Sequence, residues 1–253
     1  MIDIRKAFLS GLTGILLTCS AFAQETVTSN MLMRVFAIQN GSNHATAFAI
    51  DVDNRQYLVT AKHAMPGTTD TAQIKIFHEE KWKDISVKVM RSDEADIAVL
   101  CPPVQIAPAL PVLLKGDHYL GQDVFFLGFP YMLHTNLTVP DNRGFVIPFV
   151  KKGALSAWFK EGNSRYPTIF VDGINNPGFS GAPIVVMNPK REAIIIGIIS
   201  GYRQSQDPVT NRGIDTGLIS LANSGIIVCG DIKYALDEIK KKPEGAQIQQ
   251  EKK

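Results

Sequence analysis

The chain has 253 residues, a formal net charge of +2 and a hydrophobic content of 45%. A nearly neutral charge is not the basic pattern of a nucleic-acid-binding protein, and the length fits one domain of ordinary size. No cluster of Cys and His has the spacing of a zinc site, so we predict no metal and no cofactor.

The first 23 residues have the pattern of a secretory signal peptide. Arg5 and Lys6 give a positive start, residues 7–17 form an apolar core, and Ala-Phe-Ala at 21–23 is a cleavage site. The apolar core is too short for a transmembrane helix, and no stop-transfer segment follows it. We therefore predict an exported, periplasmic or secreted protein without a membrane span in the mature chain. An uncleaved anchor and a lipoprotein modified at Cys19 are the alternatives.

Residues 24–242 are predicted to form one domain built from many short strands. Asn40-Gly41 and Asp53-Asn54 are turn signals between the first strands. Short strands with frequent turns indicate a β-sandwich or a β-barrel. The strand-like runs are 31–38, 46–52, 57–60, 72–78, 85–90, 124–128, 145–150, 168–171, 184–187, 193–200 and 225–228.

Helix is predicted only near the end of the chain, over residues 231–241. Asp231 can cap this helix, an apolar stripe follows at helical spacing, and Pro243 ends it. The polar tail 243–253 has no aromatic residue and is predicted to be disordered. Cys101 and Cys229 both lie in apolar strand-like runs, so either a disulfide or two buried free thiols fits the pattern.

Three motifs that carry chemistry follow one another in the order His, Asp, Ser. His63 comes after the apolar strand 57–60, and Asp96 opens the apolar strand 97–100. Ser180 lies in a loop with the sequence Pro-Gly-Phe-Ser-Gly-Ala-Pro. A serine hydroxyl is a weak nucleophile that needs a base, and the base needs a partner that orients it. The order of the motifs is that of chymotrypsin-type serine proteases. We predict Ser180 as nucleophile, His63 as general base and acid, and Asp96 as the group that orients His63.

Glycines on both sides of Ser180 allow a tight loop in which backbone amides turn inward. The amides of Gly178 and Ser180 are then predicted to form an oxyanion hole.

These motifs resemble those of bacterial trypsin-like serine peptidases, namely the protease domain of the HtrA family and exported enzymes of the glutamyl-endopeptidase type. The resemblance covers most of residues 31–241. It implies an all-β fold of two six-stranded antiparallel barrels with a C-terminal α-helix, and a barrel boundary near residues 105–120. It also implies a peptide or protein substrate. The matching segments are 60–63, 96–100, 121–130, 178–183 and 223–226.

The sequence departs from the family pattern at three places. Phe179 replaces a polar residue before the nucleophile, so the activation route of digestive enzymes, a new N-terminus buried against an Asp, is unavailable. Ala182 replaces a glycine after the nucleophile, and the segment Ala-Thr-Ala-Phe at 45–48 lacks the usual glycines.

Substrate recognition is inferred from the resemblance alone. Ser200, Gly201 and Tyr202 should form the edge that pairs with the substrate backbone. The specificity pocket should be lined near Ile174, Asn175, Ser200, Gly225 and Ile227. Because Ile174 carries no charge, we expect apolar or small substrate side chains rather than Lys or Arg.

Two other functions compete with an exported serine endopeptidase. The first is an inactive or latent protease-fold module that binds peptides or proteins, which a collapsed oxyanion loop would produce. The second is an esterase of the α/β-hydrolase fold. That fold has its Ser before Asp and His, needs Gly-x-Ser-x-Gly, and alternates strands with helices, so this reading is disfavoured.

Overall fold

The computed structural model describes residues 26–67, 69–110, 112–135 and 145–249. The predicted signal peptide and residues 250–253 lie outside the described residues. The described chain is mostly strand, with a short helix α1 (Ser29–Leu32) before the first strand and a longer helix α2 (Lys233–Lys241) after the last long one. The strands are β1 (Val35–Asn40), β2 (Asn43–Val52), β3 (Arg55–Thr60), β4 (Thr71–His78), β5 (Lys81–Arg91), β6 (Ala98–Cys101), β7 (Asp123–Gly128), β8 (Phe149–Phe159), β9 (Thr168–Asp172), β10 (Pro183–Met187), β11 (Ala193–Asn211), β12 (Ile214–Asp231) and β13 (Ala246–Gln247).

The strands form two antiparallel sheets. The first has the order β13-β3-β2-β1-β4-β5-β6, and a further pairing of β3 with β6 brings its ends together. The second is a closed barrel in the order β10-β11-β12-β9-β8-β7. The predicted all-β class, with a closed six-stranded antiparallel barrel and a C-terminal helix, is confirmed. The other sheet has seven strands rather than the predicted six, because β13 adds to β3.

Alternating residues bury both faces of many strands. In β7, Val124 and Phe126 point into the second barrel, whereas Phe125 and Leu127 join a cluster that both sheets and α2 share. Phe36 in β1 points into the first barrel, and its neighbour Val35 joins the shared cluster. The shared cluster holds the sheets against each other and so fixes the cleft between them.

Strands β11 and β12 continue beyond the barrel as a two-stranded ribbon. The ladder from Gln204↔Asn223 to Asn211↔Ile214 lies outside the region where β12 also pairs with β9. Most side chains of this ribbon are exposed on both of its faces. The prediction ended the strand at residue 200, because a ribbon without a buried face has no alternation of apolar and polar residues.

Three local features bear on the predictions. Residues 29–32 are helical rather than extended, because the Thr28 side chain accepts a hydrogen bond from the Met31 amide and caps the turn. The Lys233 amide donates to Asp231 Oδ1 at 2.9 Å, so Asp231 caps the start of α2. Cys101 and Cys229 are buried free thiols, so the disulfide alternative is wrong.

The predicted disorder of the tail is wrong for its first part. Ala246 pairs with Gln56 in β3 and is buried, and Arg55 donates to the Gly245 carbonyl at 2.8 Å. Composition indicated disorder because the tail is polar, but β3 offers an unpaired edge, and backbone hydrogen bonds to that edge do not depend on apolar side chains.

Candidate active site

The pairing of β3 with β6 brings His63 and Asp96 together. Thr60 pairs with Ala98, so the turn that follows β3 lies beside the residue that precedes β6. The Asp96 carboxylate makes two hydrogen bonds with His63. Its Oδ2 lies 2.6 Å from the ring Nδ1, and its Oδ1 accepts from the backbone amide at 2.8 Å. One carboxylate therefore holds both the backbone and the ring Nδ1 of His63, which orients the ring and leaves its Nε2 for a second partner.

Ser200 is a third member of this cluster that the sequence analysis did not assign. Its hydroxyl donates to Asp96 Oδ2 at 2.6 Å, from the second barrel to the first sheet. The prediction placed Ser200 on the substrate edge, and no sequence motif links it to an aspartate 104 residues away. Glu94 is another carboxylate before β6, and its Oε1 pairs with Arg165 Nη2 at 2.7 Å rather than with His63.

The hydrogen bonds set the charges of the pair. Burial alone would raise the pKa of Asp96, but the hydrogen bonds from the His63 ring, the Ser200 hydroxyl and the His63 amide outweigh it, and the pKa is lowered. The hydrogen bond to Asp96 raises the pKa of His63, against an opposing effect of burial. The carboxylate therefore stays ionised and stabilises an imidazolium when His63 takes up a proton.

Ser180 follows a tight turn that presents free backbone amides. The Phe179 amide donates to Asn176 O at 3.1 Å, and Gly178 has φ +105°, which with Pro177 is the arrangement of a type II turn. A Cβ on Gly178 would collide with the Phe129 carbonyl oxygen, so only glycine fits. Within the described ranges, the amides of Gly178 and Ser180 donate to no acceptor.

Carbonyl contacts explain which way these two amides point. Tyr131 N donates to Pro177 O at 2.9 Å, and Ala182 N donates to Phe179 O at 2.9 Å. Because N–H and C=O lie on opposite sides of a trans peptide, the amides of Gly178 and Ser180 point away from these contacts. Both amides are thus left without an acceptor among the described residues, as the predicted oxyanion hole requires.

Thr46 of β2 anchors the same loop from the first sheet. Its side chain is fully buried, its hydroxyl donates to Gly178 O at 2.7 Å, and it accepts from the Phe129 amide at 3.1 Å. The Thr46 amide also donates to Ser180 O at 2.9 Å. The sequence analysis noted this segment only for its missing glycines, and did not find the role of the hydroxyl.

The Ser180 hydroxyl has no hydrogen bond to His63 among the described residues. Catalytic hydrogen bonds are often long without substrate and shorten in the complex. The described part of the chain also contains no group of three or more His, Cys, Asp or Glu side chains able to hold a metal ion. None of its helices has the length and apolar character to cross a membrane.

Several of the predicted substrate residues are joined by hydrogen bonds in one segment, which we call the pocket wall after its predicted role. Asn223 donates to Asn175 O at 2.8 Å, Asn175 donates to Gly201 O at 3.4 Å, and Gly225 donates to Asn223 Oδ1 at 2.9 Å. Ile174 is 56% exposed beside this network. Asn223 is an addition to the predicted set.

The remaining predicted substrate residues differ in exposure. Ser200, Gly201 and Tyr202 are half-buried in β11. Beyond Ile199, no described strand pairs with the edge of β11 that faces away from β12. Ile227 is fully buried and packs inside the second barrel, so its prediction as a pocket-lining residue is wrong. Its place in the strand was read correctly, but its side chain faces the core.

Comparison with known proteins adds a family and several solved structures. A model described as the trypsin-like peptidase domain matches residues 45–212. The HtrA-type protease AlgW, solved with a tripeptide, is 19% identical with a TM-score of 0.56, over 85% of this chain and 62% of AlgW. No curated protein sequence matches the chain.

Two further structures have a similar fold. The Rv3671c protease of M. tuberculosis H37Rv in an inactive form is 16% identical with a TM-score of 0.55, over 88% of this chain and 95% of the other. The serine endoprotease of Yersinia pestis is 18% identical with a TM-score of 0.54, over 86% of this chain and 67% of the other. Identities this low indicate a shared fold, and the chain spans less than two thirds of AlgW.

Proposed function

The chain belongs to the trypsin-like peptidase family, and from this premise we propose that it is an exported serine endopeptidase whose triad is His63, Asp96 and Ser180. The predicted trypsin-like family is confirmed. The observation that carries the proposed site is the pair of unused amides at Gly178 and Ser180, in the loop that bears the serine. The free amides support an open loop, whereas the inactive alternative needs a collapsed one.

The proposed reaction passes through an acyl-enzyme. His63 Nε2 takes the proton of the Ser180 hydroxyl as its oxygen attacks the substrate carbonyl carbon, and the amides of Gly178 and Ser180 stabilise the oxyanion. His63 then gives the proton to the leaving amine, and the carbon–nitrogen bond breaks. Water, deprotonated by His63, hydrolyses the ester and restores Ser180. Asp96 stays ionised throughout.

The proposed substrates have apolar or small side chains before the scissile bond. Support comes from the exposed apolar side chain of Ile174 and from the ammonium of Lys151, which bonds to the Ile174 carbonyl and repels cations. A profile from a peptide library tests this, and strict cleavage after Lys or Arg would contradict it.

Labelling with a fluorophosphonate probe tests the proposed site directly. We expect the probe to modify Ser180 in the protein from Gln24 onward, and His63→Ala to abolish the labelling. His118→Ala is the matched control, because the His118 ring bonds to the Gly116 carbonyl and packs against Trp158 rather than against Asp96. A folded protein that is not labelled would instead support the binding module.

Export is a separate part of the proposal and rests on the first 23 residues. Expression of the full chain in a bacterium, followed by fractionation and N-terminal sequencing, should give a product that begins at Gln24 outside the cytoplasm. A product that keeps Met1 in the membrane fraction would support the uncleaved anchor.

A further inference from the structure

The loop before Ser180 lacks the carboxylate that a buried N-terminus would hold, so another group has to support it. Phe179 occupies that position, is fully buried, and packs edge-on against Phe126 with ring centroids 5.3 Å apart. Thr46 holds the loop from the first sheet. The second barrel holds it at a different point, through Lys151 of β8.

The Lys151 ammonium lies where the loop and the pocket wall meet. It donates to the Ile174 carbonyl and to Asn176 Oδ1, the latter at 3.0 Å. It also lies 5.9 Å from the ring centroid of Phe126 and 5.7 Å from that of Phe179. Two hydrogen bonds to oxygens and two aromatic faces are the partners that a partly buried cation needs.

Asn176 connects this cation to the catalytic loop. Its side chain accepts from Lys151, and its backbone carbonyl accepts from the Phe179 amide to close the turn that contains Gly178. A change in Asn176 therefore moves the peptide whose free amide forms half of the oxyanion site. Burial lowers the pKa of Lys151, which agrees with its position beneath the loop.

We propose that Lys151 is a positioning residue of the peptidase site, and that its ammonium holds the Ile174–Asn176 wall and the Gly178 turn in the competent arrangement. This inference rests on the proposed function. Lys151 takes the place of a processed N-terminus as the cation that supports the loop, so the mature chain needs no second cleavage to form its oxyanion site.

The neighbouring lysine provides a matched control. Lys152 lies on the opposite face of β8, where its ammonium pairs with Asp123 at 2.6 Å and lies 5.9 Å from the Phe125 ring centroid. The substitutions Lys151→Met and Lys152→Met remove the same charge from adjacent positions, and only the first breaks contacts with the loop. Lys151→Arg keeps a cation able to donate to both oxygens and to stack on an aromatic ring.

Kinetics with p-nitrophenyl acetate test the proposal. We expect Lys151→Met to lower kcat about tenfold or more while KM changes less than about threefold, because oxyanion contacts act in the transition state. Lys152→Met should match the wild type, and Lys151→Arg should recover most of kcat. A loss confined to KM would place Lys151 in substrate binding and overturn the positioning role, as would equal kcat values for the two Met variants.

Hydrogen exchange provides a readout that does not need activity. Exchange in the segment 174–182 should be faster in Lys151→Met and in Asn176→Ala than in Lys152→Met, and the double variant should be no faster than the faster single one. Unchanged exchange would overturn the proposal. If the wild type were inactive with p-nitrophenyl acetate and the fluorophosphonate, the proposed function would fail, while the exchange result would still decide whether Lys151 holds the loop.

Discussion

Replacement of Thr46 by valine tests whether the first sheet holds the oxyanion loop. Valine keeps the shape of the side chain and removes a hydroxyl that donates to Gly178 O at 2.7 Å and accepts from the Phe129 amide at 3.1 Å. The Gly178 carbonyl and the Phe129 amide both lose this partner, at a position where the Thr46 side chain is fully buried. Each group left without a hydrogen bond costs about 1–3 kcal/mol, so the substitution raises the free energy of the present loop arrangement by about 2–6 kcal/mol.

The loop can respond in two ways, which the assay separates. If it rearranges while the fold persists, a cost of about 2 kcal/mol lowers the rate of fluorophosphonate labelling about 30-fold, since 1.36 kcal/mol corresponds to a factor of ten. If the loop cannot rearrange, the free energy of unfolding in urea falls by the full amount. Thr46→Ser keeps the hydroxyl and should retain most of the labelling rate. A Thr46→Val variant with wild-type labelling and stability would refute the anchoring role.

Three further substitutions probe the site and its support. Asp96→Asn should lower kcat about 10⁴-fold. Asp96 raises the pKa of His63, and only neutral His63 is a base. Wild-type activity should therefore decline, as the pH is lowered, at a pH above the ordinary histidine pKa, and the decline of the variant should occur at lower pH. An unchanged pH profile would contradict this. Gly178→Ala should lower kcat at least about 100-fold. The added Cβ would collide with the Phe129 carbonyl oxygen, and φ at this position is +105°. A near-normal kcat would argue against this loop as the oxyanion site. Arg34→Met should reduce the free energy of unfolding in urea by about 3–5 kcal/mol. The reason is that Arg34 pairs with the largely buried Asp51 carboxylate at 2.7 Å, and the substitution leaves this carboxylate without its cation. A loss below about 1 kcal/mol would contradict this.

The features that the sequence predicts well are local ones. His63 directly follows an apolar strand, Asp96 directly precedes another, and Ser180 lies between glycines, so each motif can be read within a few residues. The strands of the two barrels are equally local, because one buried face produces a period of two in the sequence. Antiparallel pairing of neighbouring strands then follows from the short turns between them.

The missed features depend on contacts between distant segments or on exposed backbone. Ser200 meets Asp96 across the cleft, and Lys151 meets Asn176 between a strand and a loop. The residues of each pair lie too far apart in the sequence to form a recognisable motif. Ala246 joins β3 through its backbone, and the ribbon of β11 and β12 is exposed on both faces, so composition and periodicity carry no signal for either.

Different residues support the proposed oxyanion loop and the pocket wall, with one exception. Thr46 and Tyr131 bond to the peptides around Gly178, whereas Asn223, at the base of the ribbon, bonds to Asn175. Lys151 is the residue that contacts both regions, through Ile174 and Asn176. Substitutions along the ribbon can therefore reshape the wall while the backbone donors stay fixed, but under the proposed role a change at Lys151 also reaches the turn that carries a backbone donor. A charged side chain against two aromatic rings carries a cost in desolvation, and the proposed positioning role accounts for that cost.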